Sequence, residues 1–118
     1  MKYLVMLTAA LMLVACGSEQ PVGDSDQVLE KIAAGATVID VRTTLEQDGG
    51  MLPGALPILH TAIVDGVAAL AIPKDQPLVL YCRSGRRSGL AAAALRDAGY
   101  TEVTNGGGYA DLKAAMAR

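Results

Sequence analysis

From about residue 24 to the end of the chain, apolar positions fall into blocks whose spacing alternates between a helical and a strand period. Asp24 or Ser25 can cap a helix whose apolar residues Val28, Leu29 and Ile32 share one face, and Gly35 stands where its end is expected. Thr37-Val38-Ile39-Asp40-Val41-Arg42 is β-branched and finishes in polar groups, which predicts a buried strand. A longer strand, Pro77-Leu78-Val79-Leu80-Tyr81, runs straight into Cys82. A polar, glycine-containing loop follows it, and then Ser88 to Ala98 predicts a helix that stops at Gly99. Tyr100 to Thr104 predicts a short strand and Asn105-Gly106-Gly107-Gly108 a tight turn. Tyr109 to Arg118 predicts a closing helix on the spacing of Tyr109, Leu112 and Met116. The stretch from Thr43 to Ile72 is less regular: Thr44-Leu45-Glu46-Gln47 supports one helical turn and Pro53-Gly54 a turn, while Ile63 to Leu70 fits either helix or loop.

Strands alternating with helices require crossover connections. They predict a single α/β domain with a mainly parallel central sheet and helices on both faces. The length of 118 residues suits one such domain. In open parallel sheets ligands bind beyond the carboxyl ends of strands, and Cys82 lies at one of those ends.

Ahead of this pattern stands a different one. Met1-Lys2-Tyr3 precedes an apolar run from Leu4 to Ala15 broken only by Thr8, too short for a spanning helix but suited to a secretory signal. Its end, Leu13-Val14-Ala15-Cys16, resembles a bacterial lipobox, in which the cysteine is acylated and becomes the new N-terminus. The chain therefore divides into a signal peptide over 1–15, a tether over 16–23 rich in solvating residues, and a domain over 24–118. The expected location is extracytoplasmic, held to a bacterial membrane through Cys16.

Composition narrows the chemistry. Ten basic residues against twelve acidic, a formal net charge of −2, lack the electrostatic footprint of a nucleic-acid binder. With no Phe, no Trp and four Tyr, the core must be aliphatic, and aromatic platforms for stacking bases are not available. Two cysteines and one histidine are too few for a disulfide scaffold or a Cys/His zinc site, and no motif calls for a metal or cofactor. If Cys16 carries lipid, Cys82 is an unpaired thiol in an oxidising compartment, where an idle exposed thiol is a liability.

The segment Cys82-Arg83-Ser84-Gly85-Arg86-Arg87-Ser88 places a thiol, three guanidinium groups and a glycine between a buried strand and a helix start. Unpaired loop and first-turn amides, the helix dipole and the arginines all favour an anion there, including a thiolate. Such surroundings lower a cysteine's pKa from about 8.5 toward the range of about 3.5–7.5. A cysteine that merely ends a strand has no need of Arg83, Arg86 and Arg87 beside it.

These residues resemble the rhodanese family of sulfurtransferases in its small single-domain form. The cysteine-led loop Cys82-Arg83-Ser84-Gly85-Arg86-Arg87 is similar to the family's loop, and Asp40-Val41-Arg42 to its strand-end Asp-x-Arg element. Gly50-Met51-Leu52-Pro53-Gly54-Ala55 is similar to its Gly-x-x-Pro-Gly-Ala turn, and Asn105-Gly106-Gly107-Gly108 to its late glycine turn. Met51 departs from the family, which often has histidine there. The resemblance implies double displacement, with Cys82 taking sulfur from a small anionic donor such as thiosulfate and passing it from a persulfide to cyanide or a thiol. It further implies that the loop residues Arg83, Ser84, Gly85, Arg86 and Arg87 bind substrate, with Arg87 orienting the sulfonate end and Arg83 or Arg86 steering anions at the rim. Asp40 and Arg42 read as supports of the site, and nothing places His60 as a base. A cysteine-dependent phosphatase uses the same physics but requires arginine one position later, where Ser88 stands. A non-enzymatic module of the same fold typically lacks the cysteine, and a dithiol oxidoreductase needs a second cysteine to resolve a disulfide.

Overall fold

The computed structural model describes residues 19–118, so the expected signal peptide, the lipobox with Cys16 and the start of the tether lie outside the described residues. Among the described residues five helices and four strands alternate: α1 Ser25–Ala33, β1 Thr37–Asp40, α2 Thr44–Asp48, β2 Leu56–Pro57, α3 Ile63–Ala69, β3 Leu78–Cys82, α4 Arg86–Asp97, β4 Val103–Gly108 and α5 Tyr109–Met116. A 3₁₀ turn, His60–Ala62, leads into α3. The sheet has the order β2-β1-β3-β4, and every pairing is parallel. The predicted α/β architecture is thus the one observed.

Strand alternation sorts the core into two layers. Val38, Val79 and Tyr81 point to one face, where Val28 of α1 and Leu112 of α5 cover them. Ile39, Leu78, Leu80 and Cys82 point to the other, against Ile63 and Val67 of α3 and Ala91, Ala92 and Leu95 of α4. Each fully buried leucine or valine stabilises the fold by roughly 1.5–3 kcal/mol relative to exposure. The alanine run of α4 serves this packing, because small side chains let the helix lie close on β3 and bring its N-terminus to the end of that strand. Local signals set the other elements. The Asp24 carboxylate accepts from the amides of Asp26 and Gln27 to cap α1. Thr43 and Glu46 form a capping box on α2.

Four expectations need correction. The helix after Cys82 starts at Arg86, not Ser88, because Gly85, in a left-handed conformation (φ +99°), turns the chain directly into it. The run Asn105–Gly108 is not a turn but the last four residues of β4, whose pairing with β3 shifts by one residue at Gly106. Van der Waals space explains why glycine serves in this strand. A Cβ on Gly106 would sit 2.9 Å from Val79 Cγ1, and one on Gly108 would sit 2.6 Å from the Arg83 carbonyl oxygen. Met116, expected on the buried face of α5, is 37% exposed, and Ala115 takes the core position beside Leu112. Finally, the last part of the expected tether is docked rather than solvated. Gln20 N–H donates to the Gly89 carbonyl (3.1 Å), Gly23 N–H donates to the Asn105 carbonyl (2.8 Å), and Val22 forms a parallel bridge with Asn105.

Candidate active site

Cys82 ends β3 with its side chain completely buried among the residues of the α3–α4 layer. The next three residues curl back over it. Gly85 N–H donates to Cys82 Sγ at 3.0 Å, and the hydroxyl of Ser88, in the first turn of α4, lies 3.4 Å from the same sulfur. Burial alone would raise the Cys82 thiol. The Ser88 hydroxyl and the amides of Ser88, Ser84 and Gly85 outweigh it and hold the pKa below its ordinary value. The twelve-residue helix α4 adds partial positive charge at the same end. The left-handed φ of Gly85 turns the chain from the amide that meets the sulfur straight into α4, so the loop that holds the thiolate and the start of the helix meet at one residue.

The arginines divide into two kinds. Arg83 and Arg86 are exposed on the rim, and Arg83 borders a cleft of about 370 Å³ together with Arg42, Glu46, Tyr109 and Ala110. Arg87, expected to be free to orient a sulfonate, is instead gripped by Glu46 of α2, Nη1 to Oε1 at 2.7 Å and Nη2 to Oε2 at 2.9 Å. Glu46 raises the Arg87 pKa most, and the nearby Cys82 thiolate adds to that effect. In return Arg87, against some burial and with help from Thr43, holds the Glu46 carboxyl down to about 2. Ser84 is exposed and contributes through its backbone, while Gly85 is buried. A cleft of about 520 Å³ lies at the opposite, amino ends of the strands, bordered by Lys31, Pro77 and Thr101.

Asp40 and Arg42 lie beneath the site as a buried pair. Arg42 Nη2 donates to Asp40 Oδ2 at 2.8 Å and to the Gly50 carbonyl at 2.6 Å, and Arg42 N–H donates to Asp40 Oδ1 at 2.9 Å. Burial would raise the Asp40 carboxyl, but the Arg42 and Tyr81 hydrogen bonds bring it below its usual value. The Arg42 guanidinium lies 4.3 Å from the centre of the Tyr109 ring. Tyr81, next to Cys82 on β3, accepts from Leu52 N–H at 2.9 Å through its hydroxyl. The Asp-x-Arg element thus ties β1 to the Gly50–Leu52 turn and the aromatic pair, without touching the sulfur.

Three residues of this arrangement were not singled out from the sequence. From the sequence Ser88 is a helix start and the residue where a phosphatase would have arginine, and Glu46 is part of one helical turn. Asn105 looked like a turn residue. In the fold it is fully buried and accepts from Ser88 Oγ at 2.7 Å through Oδ1. His60 is partly buried, and its Nδ1 has no partner among the described residues.

The model of the rhodanese-like domain family matches residues 24–115. A sulfurtransferase of Allochromatium vinosum is 39% identical over 84 residues, 70% of this chain and 77% of that protein. The thiosulfate sulfurtransferase PspE of Escherichia coli is 34% identical over 74 residues, 63% of this chain and 71% of its own. Among solved structures, a rhodanese with anions from E. coli is similar with a TM-score of 0.63 at 32% identity, over 65% of this chain and 91% of that one. A match spanning most of the chain, on a parallel sheet whose third strand delivers a cysteine into its own amide-lined loop, makes this protein a member of the rhodanese-like domain family.

Proposed function

We propose that the protein is a sulfurtransferase of the thiosulfate type that works through a persulfide on Cys82. One observation carries the reading: backbone and hydroxyl donors converge on the sulfur of a buried, strand-end cysteine. The Cys82 thiolate attacks the outer sulfur of thiosulfate. A new S–S bond forms, the old one breaks, and its electron pair leaves with sulfite. The terminal sulfur of the persulfide is anionic, and the amides of Ser84 and Gly85 with the Ser88 hydroxyl are suited to hold it. Cyanide or an acceptor thiolate then attacks that terminal sulfur, and the electron pair of the breaking bond returns to Cys82. Arg83 and Arg86 supply free positive charge for the incoming dianion. Arg87, neutralised by Glu46, serves to position rather than to attract.

Incubation with thiosulfate should raise the intact mass by one sulfur atom at Cys82, and cyanide should then release thiocyanate. Cys82→Ser should lose both signals, a fall of at least about a thousandfold in rate for a lost covalent nucleophile. Absence of sulfur loading from thiosulfate and from an alternative sulfane donor would refute the reading. Attachment to a membrane through acylated Cys16 belongs to the same proposal, and it sets where the reaction takes place.

A further inference from the structure

Gln20 to Gly23 precede the region matched by the family, residues 24–115. Their contacts nonetheless converge on the back of the Cys82 loop, and Asn105 is the junction. Its Nδ2 donates to the Gln20 carbonyl at 2.7 Å and the Gly85 carbonyl at 2.8 Å, and its Oδ1 accepts from Ser88 Oγ at 2.7 Å and Gly107 N–H at 3.1 Å. All four hydrogen-bonding positions of the amide are filled, and two carbonyls on one side with two donors on the other allow only this orientation. Two of the four partners also reach Cys82 Sγ: Gly85 donates its own amide, while Ser88 has one hydroxyl proton to share between Asn105 Oδ1 at 2.7 Å and the sulfur at 3.4 Å. The segment also grips the backbone of Asn105, through Gly23 N–H on its carbonyl at 2.8 Å.

Val22 adds packing to this hydrogen bonding. It is 54% exposed, yet its methyls lie over the two left-handed glycines of the site: a Cβ on Gly85 would come within 2.6 Å of Val22 Cγ2, and one on Gly107 within 2.8 Å of Val22 Cγ1. Here a side chain from outside the matched domain occupies the space that the loop's own glycines leave open.

We infer that Gln20–Gly23 is a positioning element for the Cys82 thiolate, a strap that fixes Asn105 and, through its bond to the Gly85 carbonyl, the Gly85 amide that donates to the sulfur. The inference rests on reading Cys82 as the reactive thiolate, and not on which sulfur donor it uses. Releasing the strap removes one acceptor from Asn105 Nδ2 and uncovers Gly85, whose unusual backbone conformation is then free to relax. The sulfur loses the well-aimed Gly85 amide, and the thiolate is stabilised less.

The test uses the full chain with Gln20→Gly, Pro21→Gly and Val22→Gly combined, alongside Val22→Ala and Val22→Ile. Alkylation by iodoacetamide is followed against pH and read at Cys82 by peptide mass, with thermal melting reporting the fold. The triple variant should move the midpoint of the pH profile up by about one unit, which lowers the alkylation rate below that midpoint about tenfold. Val22→Ala should move it the same way by a smaller amount, and Val22→Ile should restore the parent profile. A cooperatively melting triple variant with an unchanged profile would overturn the inference. If the triple variant does not fold, an unchanged profile in Val22→Ala does so instead. Alkylation requires no sulfur donor, so a shifted profile without any thiocyanate formation would reject the sulfurtransferase reading and leave the strap standing.

Discussion

At the scale of single residues, the site is a balance of charges that a residue list hides. Three arginines follow Cys82 within five positions, but one of them is spoken for: Glu46 cancels Arg87 through two short hydrogen bonds. That pair makes a prediction about acid. The Glu46 carboxyl is held at about 2 against an ordinary 4.5, so its stabilising contribution is complete above about pH 4.5 and is lost as pH falls toward 2. Glu46→Gln should therefore melt below the parent at pH 7 by about 1 kcal/mol, a partly exposed ion pair being screened, and converge with it near pH 2. Melting curves across that range check this; a constant gap at every pH would assign the loss to the cap of α2 instead. The thiol loop itself was legible residue by residue, because strand, cysteine, glycine and helix follow one another in the chain. Glu46 was not, since it reaches Arg87 from 41 positions away.

At the scale of elements, β4 carries the lesson. A run of three glycines after asparagine has the composition of a turn, and isolated propensity disfavours it in a strand. It becomes a strand because β3 and α5 approach so closely that side chains are excluded, and because a bulge at Gly106 lets Gly107 and Gly108 pair with Tyr81 and Cys82. Gly108→Ala should thus cost about 1–3 kcal/mol by forcing β4 away from the Arg83 carbonyl, whereas Gly49→Ala, whose Cβ meets nothing nearer than 3.5 Å, should cost little. Denaturant unfolding of both variants measures the difference, and equal costs would contradict the close-approach argument. The start of α4 follows the same logic. Arg86 and Arg87 have no capping side chain before them, but Gly85 supplies the backbone turn that a Ser or Asp cap would otherwise mark.

At the scale of the whole molecule, the N-terminal segment joins the domain instead of merely leading to it. Glu19 and Gln20 lie against Gly89 in α4, so a lipid on Cys16 would be tied to the domain by no more than about 11 Å of extended chain. Cys16→Ala should release the protein from membranes while leaving its melting temperature and Cys82 reactivity as they were, and an unchanged membrane fraction after fractionation would reject acylation. What the sequence determined by itself is what depends on neighbours along the chain: the α/β alternation, the cap of α1, and the cysteine at a strand end followed by a loop able to hold an anion. Those features arise from hydrogen bonds and periodicities that close within a few residues. Only the tertiary structure decided that the glycine run is a strand, that Arg87 is neutralised, and that Asn105 and the strap stand behind Ser88 and Gly85. Each of these depends on which surfaces meet across the sheet, at separations of 17 to 85 residues, where no local pattern records the partner.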